Sequence, residues 1–195
     1  IPQLQADALM KYVPEVLDFC DVDAVQLYNI DSTNVTPQHW LLLAKTIREQ
    51  YDKYDGFVVC HGTDTMSYTA AMLSYLIQNS PKPIVLTGSQ QPIDKEDTDG
   101  RVNLRDSFLY ALSDTASEVV IVFQGKVIAG TRAKKVRTKS YNAFESVDFP
   151  QLGVIRDGKI IQFGRAKSKE LLAYLIDKNG TTATGSELIV NLWED

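Results

Sequence analysis

Three uninterrupted apolar runs constrain this chain more than any other feature: FVVC at 57–60, IVL within KPIVLTG at 82–88, and VVIVF at 119–123. Successive side chains on a strand point to opposite faces, so a run with no polar positions needs cover on both sides. Segments of helical periodicity separate the runs. TPQHWLLLAKTIREQY places Trp40, Ala44, Ile47 and Tyr51 at helical spacing, with Thr36 as N-cap and Pro37 at the first helical position. Met66, Ala70, Leu73 and Ile77 mark a second helix face, and Leu104, Phe108 and Leu112 a third. This alternation predicts an α/β fold of three layers around a mainly parallel sheet.

The pattern changes after the third run. Lys126 to Ala129 predicts a short edge strand, and VIRDGKII predicts a hairpin turning at Asp157-Gly158, a pair suited to a type I′ turn. SKELLAYLIDKNG reads as a helix closed by Gly180, and GSELIVNLW as a last strand. A boundary is expected near residue 150, leaving a tail of 151–195 too short for a core of its own.

Charge and composition then narrow the function. The net charge of −5 disfavours binding to nucleic acid or to an anionic membrane surface. No apolar stretch approaches the roughly 18 residues of a membrane span. The histidines, His39 and His61, and the cysteines, Cys20 and Cys60, show no metal-ligand spacing. Two reduced, buried thiols are expected, Cys60 within an apolar strand. No cofactor is implied.

Ligands in open α/β sheets collect where strands end and loops run into helix N-termini. HGTDTM, at 61–66, lies at such a junction. Gly62 permits a sharp turn and close approach to the backbone, Thr63 offers a hydroxyl, and Asp64 offers a carboxylate suited to an amino group. The ordinary alternative is that these residues cap the helix. Two further polar loops follow apolar stretches: Asp31-Ser32 after LYNI, and Gly88-Ser89-Gln90 after the second run. Either could be a simple turn. Converging, the three would form a small polar pocket. The basic run TRAKKVRTK is either a solvated face or the source of a lysine that reaches the pocket and lowers a hydroxyl's pKa.

The stretches DGFVVCHGTDTMSYTAAMLSYLI, KPIVLTGSQQP and DGRVNLRDSFLYAL resemble the bacterial L-asparaginases, and the cytoplasmic type I branch in particular. The resemblance runs from about Asp31 to Ile161, and HGTDTM matches one of the family's two signatures. It implies hydrolysis of L-asparagine to L-aspartate and ammonia, without cofactor or metal. Thr63 matches a signature threonine that works with a lysine to activate a hydroxyl or water. Asp64 matches the carboxylate that holds the substrate's α-amino group, and Ser32 the serine that contacts its α-carboxylate, with Asp31 beside it. Lys135 in GTRAKKVR matches the partner lysine, with Lys134 a weaker candidate. Gly62, Gly88 and Ser89 are expected to line the pocket. A cytoplasmic homodimer or homotetramer is implied.

The family's other signature, a Thr-Gly-Gly-Thr-Ile stretch bearing the principal nucleophilic threonine, does not occur here. Ile1-Pro2 resembles the chain just after the tyrosine-bearing loop that follows this signature, so either those residues are omitted from the sequence or the chain is a fragment. Residues 1–150 are then an α/β domain lacking its first strand, and 151–195 a hairpin, linker and partial second domain. Two other classes stay open: the asparaginase-like component of an archaeal complex that amidates a charged transfer RNA, and a non-catalytic amino-acid-binding fold.

Overall fold

The computed structural model describes residues 6–162. The chain divides into two compact units, Ile1–Ile161 and Gln162–Asp195. The expected helix ending at Gly180 and the expected last strand lie outside the described residues.

The first unit opens with a short helix α1 (Ala6–Leu9), then 3-10 turns at Met10–Tyr12, Pro14–Asp18 and Ser32–Asn34. There follow α2 (Pro37–Gln50), β1 (Phe57–Cys60), α3 (Met66–Leu76), β2 (Ile84–Thr87), α4 (Gly100–Ala111), β3 (Val119–Phe123), β4 (Lys126–Ala129), β5 (Ala133–Lys135), β6 (Phe144–Ser146), β7 (Gly153–Arg156) and β8 (Lys159–Gln162). Six strands form one sheet in the order β1-β2-β3-β4-β7-β8, while β5 and β6 pair as a separate antiparallel hairpin. The large sheet is mixed. Its parallel core runs through β1, β2 and β3, with Phe57 opposite Ile84 and Ile84 opposite Val119. β4 returns antiparallel to β3.

Helices cover both faces, which completes the three expected layers. On one face Leu43, Ala44 and Ile47 of α2 and Met66, Ala70 and Leu73 of α3 pack with Ile84, Leu86, Ile121 and Phe123. On the other, Tyr110 of α4 packs with Val85, Val120, Val122 and Val127, and Leu104 packs with Ile93, Val13 and Val16. Odd and even strand positions therefore feed different cores, as buried parallel strands require. Thr36 and Pro37 open α2 as expected, and the Thr36 N–H donates to His39 Nδ1 at 3.1 Å. The hairpin turn sits at Asp157 and Gly158, with φ of 50° and 71°, the left-handed values of a type I′ turn.

Three expectations are corrected. Lys126–Ala129 is not an edge strand, because the β7-β8 hairpin adds to its outer side. Leu112 does not face the core but is 46 % exposed, because α4 ends at Ala111. The inward side of α4 is partly polar instead, with Asn103, Asp106 and Ser107 buried. The thiols are not simply buried: Cys20 is half-buried, and Cys60, the last residue of β1, is exposed as a residue while desolvation of its thiol pushes its pKa up to about 11.

Leu73→Ala and Leu112→Ala test these faces. The first empties a fully buried site and should cost about 2–5 kcal/mol in denaturant unfolding. The second should stay within about 0.5 kcal/mol of the parent.

Candidate active site

Parallel alignment puts the carboxyl ends of β1 and β2 side by side, with Cys60 opposite Thr87, and the His61 N–H continues the ladder to the Thr87 carbonyl at 2.8 Å. The exits are so close that only glycine fits at position 88. A Cβ there would lie 2.2 Å from the His61 carbonyl oxygen. Gly62 is held similarly, for a Cβ on it would come within 2.7 Å of Ser32 Oγ. The three polar loops foreseen from the sequence thus meet at one rim of the sheet.

Neither Thr63 nor Asp64 caps α3. The N-cap residue is Thr65, and its hydroxyl donates instead to the Ser32 carbonyl at 2.6 Å, binding the 31–34 turn to the start of α3. Thr63 is buried, and its hydroxyl donates to Gln90 Oε1 at 3.0 Å. Lys135 Nζ donates to Thr63 Oγ1 at 2.8 Å and forms an ion pair with Asp64 Oδ1 at 2.6 Å. The lysine side chain is only 13 % exposed, whereas that of Asp64 is 59 % exposed. The carboxylate therefore opens to solvent on one side and holds the ammonium on the other.

Lys135 arrives from 72 positions along the chain. β5 alternates, so Lys134 points to solvent while Lys135 turns inward. Its cross-strand partner Phe144 is fully buried and packs on Phe123, the last residue of β3, with ring centroids 4.9 Å apart. That pairing, of a kind worth about 0.5–1.5 kcal/mol beyond its buried area, seats the hairpin against the rim. Two bonds fasten its tip to the loop after β2: Gln90 Nε2 donates to the Ser140 carbonyl at 3.1 Å, and Tyr141 Oη donates to the Asp97 carbonyl at 2.7 Å.

The other expected residues divide. Ser32 is buried beside Gly62. Asp31 caps its own turn, accepting from the Thr33 N–H at 2.9 Å and the Thr33 hydroxyl at 2.7 Å. Those bonds hold its carboxyl below the ordinary value. Ser89 lies against Gly100 at the start of α4. Among the described residues no cluster of His, Cys, Asp and Glu could hold a metal ion.

Three contributors were not assigned from sequence. Gln90 was one residue of a polar loop without a role of its own. Asp99 and Asn103 carried no signal beyond helix-start composition, yet both are buried and bonded to the loop after β2. His61 adds a fourth feature. Trp40 Nε1 donates to Thr69 Oγ1 at 2.8 Å, which lies 2.9 Å from His61 Nε2, and His61 Nδ1 lies 2.7 Å from the Gly62 carbonyl. An indole N–H only donates and a carbonyl only accepts. The Gly62 carbonyl therefore fixes a proton on Nδ1, and in the neutral ring Nε2 accepts from the Thr69 hydroxyl. Burial also pushes its pKa down.

Comparison with known proteins identifies the fold. Residues 1–168 match the family model described as Asparaginase, N-terminal. The chain is 39% identical over 139 residues to L-asparaginase 1 of Escherichia coli, covering 71% of this chain and 40% of the relative. It is 37% identical over 184 residues to a component of the glutamyl-tRNA(Gln) amidotransferase of Methanosphaera stadtmanae, covering 87% and 42%. The crystal structure of a probable cytoplasmic L-asparaginase from Campylobacter jejuni aligns with a TM-score of 0.78 at 36% identity, over 81% of this chain and 51% of that one. The chain belongs to the asparaginase family. It spans about two fifths of the length of the curated relatives it matches.

The neutral His61 yields a pH prediction. An unfolded histidine takes up a proton as the pH falls below about 6.5, and the folded one only at lower pH. The stability supplied by neutral His61 is complete above that value and is lost as the pH falls through the folded-state pKa. Unfolding free energies of the parent and His61→Gln, measured from pH 8 to 5, should converge toward the acid end.

Proposed function

We propose that this chain carries part of the active site of an amidohydrolase that converts L-asparagine and water to L-aspartate and ammonia. The observation that carries this reading is the contact of Lys135 Nζ with both Thr63 Oγ1, at 2.8 Å, and Asp64 Oδ1, at 2.6 Å. An unactivated amide resists attack, so a hydroxyl must be made nucleophilic and the resulting oxyanion stabilised. Thr63 works with Lys135, the amine in contact with it, to activate the attacking hydroxyl, and the charge of the lysine favours the alkoxide.

Asp64 has the exposure to receive a second cation, the substrate's α-ammonium group. Sharing Asp64 sets two cations against each other, which favours movement of the lysine proton toward the departing nitrogen. Attack by the activated hydroxyl oxygen on the side-chain carbonyl carbon forms an ester and breaks the C–N bond; the hydroxyl proton passes by way of Thr63 and Lys135 to the departing nitrogen, which leaves as ammonia. Water then cleaves the ester, releasing L-aspartate and restoring the hydroxyl. Ser32, Gly62, Gly88 and Ser89 complete the pocket for the zwitterion, with Asp31 beside them. Assembly as a homodimer or homotetramer and a cytoplasmic location accompany this reading.

A second reading has its own support in the likeness to the amidotransferase component. In it the same chemistry delivers ammonia to a partner protein rather than to solvent. Ammonia release by the full chain with L-asparagine alone supports the first reading. Release only with a partner protein and transfer RNA supports the second, and binding without turnover defeats both.

Thr63→Ala should abolish ammonia release with little change in melting temperature. Retained activity with a loss of stability alone would leave Thr63 only the structural part of holding Gln90. Asp64→Ala should weaken asparagine binding in calorimetry and lower the rate as well, because the clamp orients the amide. Unaltered turnover in Lys135→Met would retire the lysine.

A further inference from the structure

We propose that Asp99 positions the Thr63 hydroxyl, acting through Gln90. The assignment rests on the amidohydrolase reading above and extends it to a residue remote from the substrate. Asp99 occupies the N-cap position of α4, where an aspartate ordinarily caps its own helix, yet it makes no side-chain cap bond. Both oxygens turn back to the loop after β2. Oδ1 accepts from the N–H of Gln90 at 2.9 Å and of Gln91 at 3.1 Å, while Oδ2 accepts from the Gln90 N–H at 3.0 Å and from Asn103 Nδ2 at 3.1 Å. Asp99 is 3 % exposed and Asn103 is fully buried. Two consecutive backbone N–H groups aimed at one carboxyl fix the peptide planes on either side of Gln90, and with them the direction of its side chain.

Asn103 locks the same loop from behind. Its Nδ2 also donates to the Gly88 carbonyl at 2.9 Å, and its Oδ1 accepts from the Gln124 N–H at 2.8 Å. The exits of β2 and β3 are thereby tied to α4 through one buried pair.

Gln90 transmits the constraint. The Ser140 carbonyl only accepts, so the Gln90 amide must present Nε2 to it. Oε1 is left facing Thr63, where it can only accept. The hydroxyl proton of Thr63 is consequently aimed at Gln90, and its lone pairs are left for Lys135. An inverted amide would set two acceptors face to face at Ser140 and remove this direction.

The test is a double-mutant cycle on the full chain, with Asp99→Asn and Gln90→Met, read by asparagine hydrolysis and by the NMR resonance of the Thr63 methyl group. Asp99→Asn keeps the shape but turns an acceptor into a donor against backbone N–H groups. It should lower kcat on the order of 100-fold, with KM little changed, and should shift the Thr63 methyl resonance. Both effects should nearly vanish in the Gln90→Met background, since the transmitting amide is already gone. An equal loss of kcat in both backgrounds overturns the proposal. So does a lower melting temperature with kcat and the methyl resonance unmoved.

Should Asp99→Asn fail to fold, amide exchange in the parent decides. Gln90 and Gln91 N–H groups held by a buried carboxyl exchange slowly, and fast exchange in the folded protein refutes the clamp. If the parent does not hydrolyse asparagine, the amidohydrolase reading falls by itself. The methyl resonance and amide exchange still decide the role of Asp99.

Discussion

Cover of β1, β2 and β3 on both faces, complete for β2 and β3 and partial for β1, governs where the polar chemistry of this protein sits. These strands offer no room for polar side chains along their length, apart from Thr87, whose hydroxyl is satisfied by the Val122 carbonyl at 2.8 Å. Polar groups are therefore displaced to the strand ends. Because the strands run parallel, the ends that lead into α3 and into the 88–99 loop emerge at the same rim. The spacing between adjacent strands is only about 4.8 Å. Two loops leaving at that separation must pack backbone against backbone, and the absence of a side chain at Gly88 makes the approach of His61 possible.

The rim alone does not make the site. The amine at Thr63 belongs to a hairpin outside the main sheet, which is held by apolar packing of Phe144 against Phe123 and by Lys126 of β4, whose Nζ donates to Asn142 Oδ1 and to the Phe144 carbonyl. The Lys135–Asp64 ion pair is half open to water, and an exposed pair of that kind contributes little to stability. Its significance is directional. Packing brings the lysine to the rim, and the ion pair with the hydrogen bond to Thr63 then selects one orientation of a long, flexible side chain.

The interior of α4 follows a different rule. A buried polar group without a partner costs roughly 1–3 kcal/mol, so Asn103, Asp99 and Ser107 are tolerated only because each is bonded, Ser107 through its hydroxyl to the Asn103 carbonyl at 2.7 Å. An apolar face on α4 would have packed as well and required no such partners. The polar choice links the helix to loops that an apolar face would have left unattached.

Much of this was legible in the residues. Unbroken apolar runs at 57–60 and 119–123 called for buried strands, which β3 is throughout and β1 only in part, and helical spacing of Met66, Ala70 and Leu73 located α3 and its inner face. Turn chemistry at Asp157-Gly158 placed the hairpin, and the resemblance in HGTDTM pointed to the family. These are local properties, written in periods of two and 3.6 residues or in contiguous motifs. What remained hidden depends on contacts between distant segments. The sequence could not show that β4 lies inside the sheet, that Leu112 falls beyond the end of α4, or that Asp99 turns away from its own helix. Nor could spacing alone separate Lys135 from Lys134, which differ only in the face of β5 they occupy. Sequence by itself determined the three parallel strands, the helices between them, their order and the polar inventory at their ends. Only the tertiary structure decided which of those polar groups meet, because a hydrogen bond requires atoms within about 3 Å, and no local pattern carries distances across 72 residues.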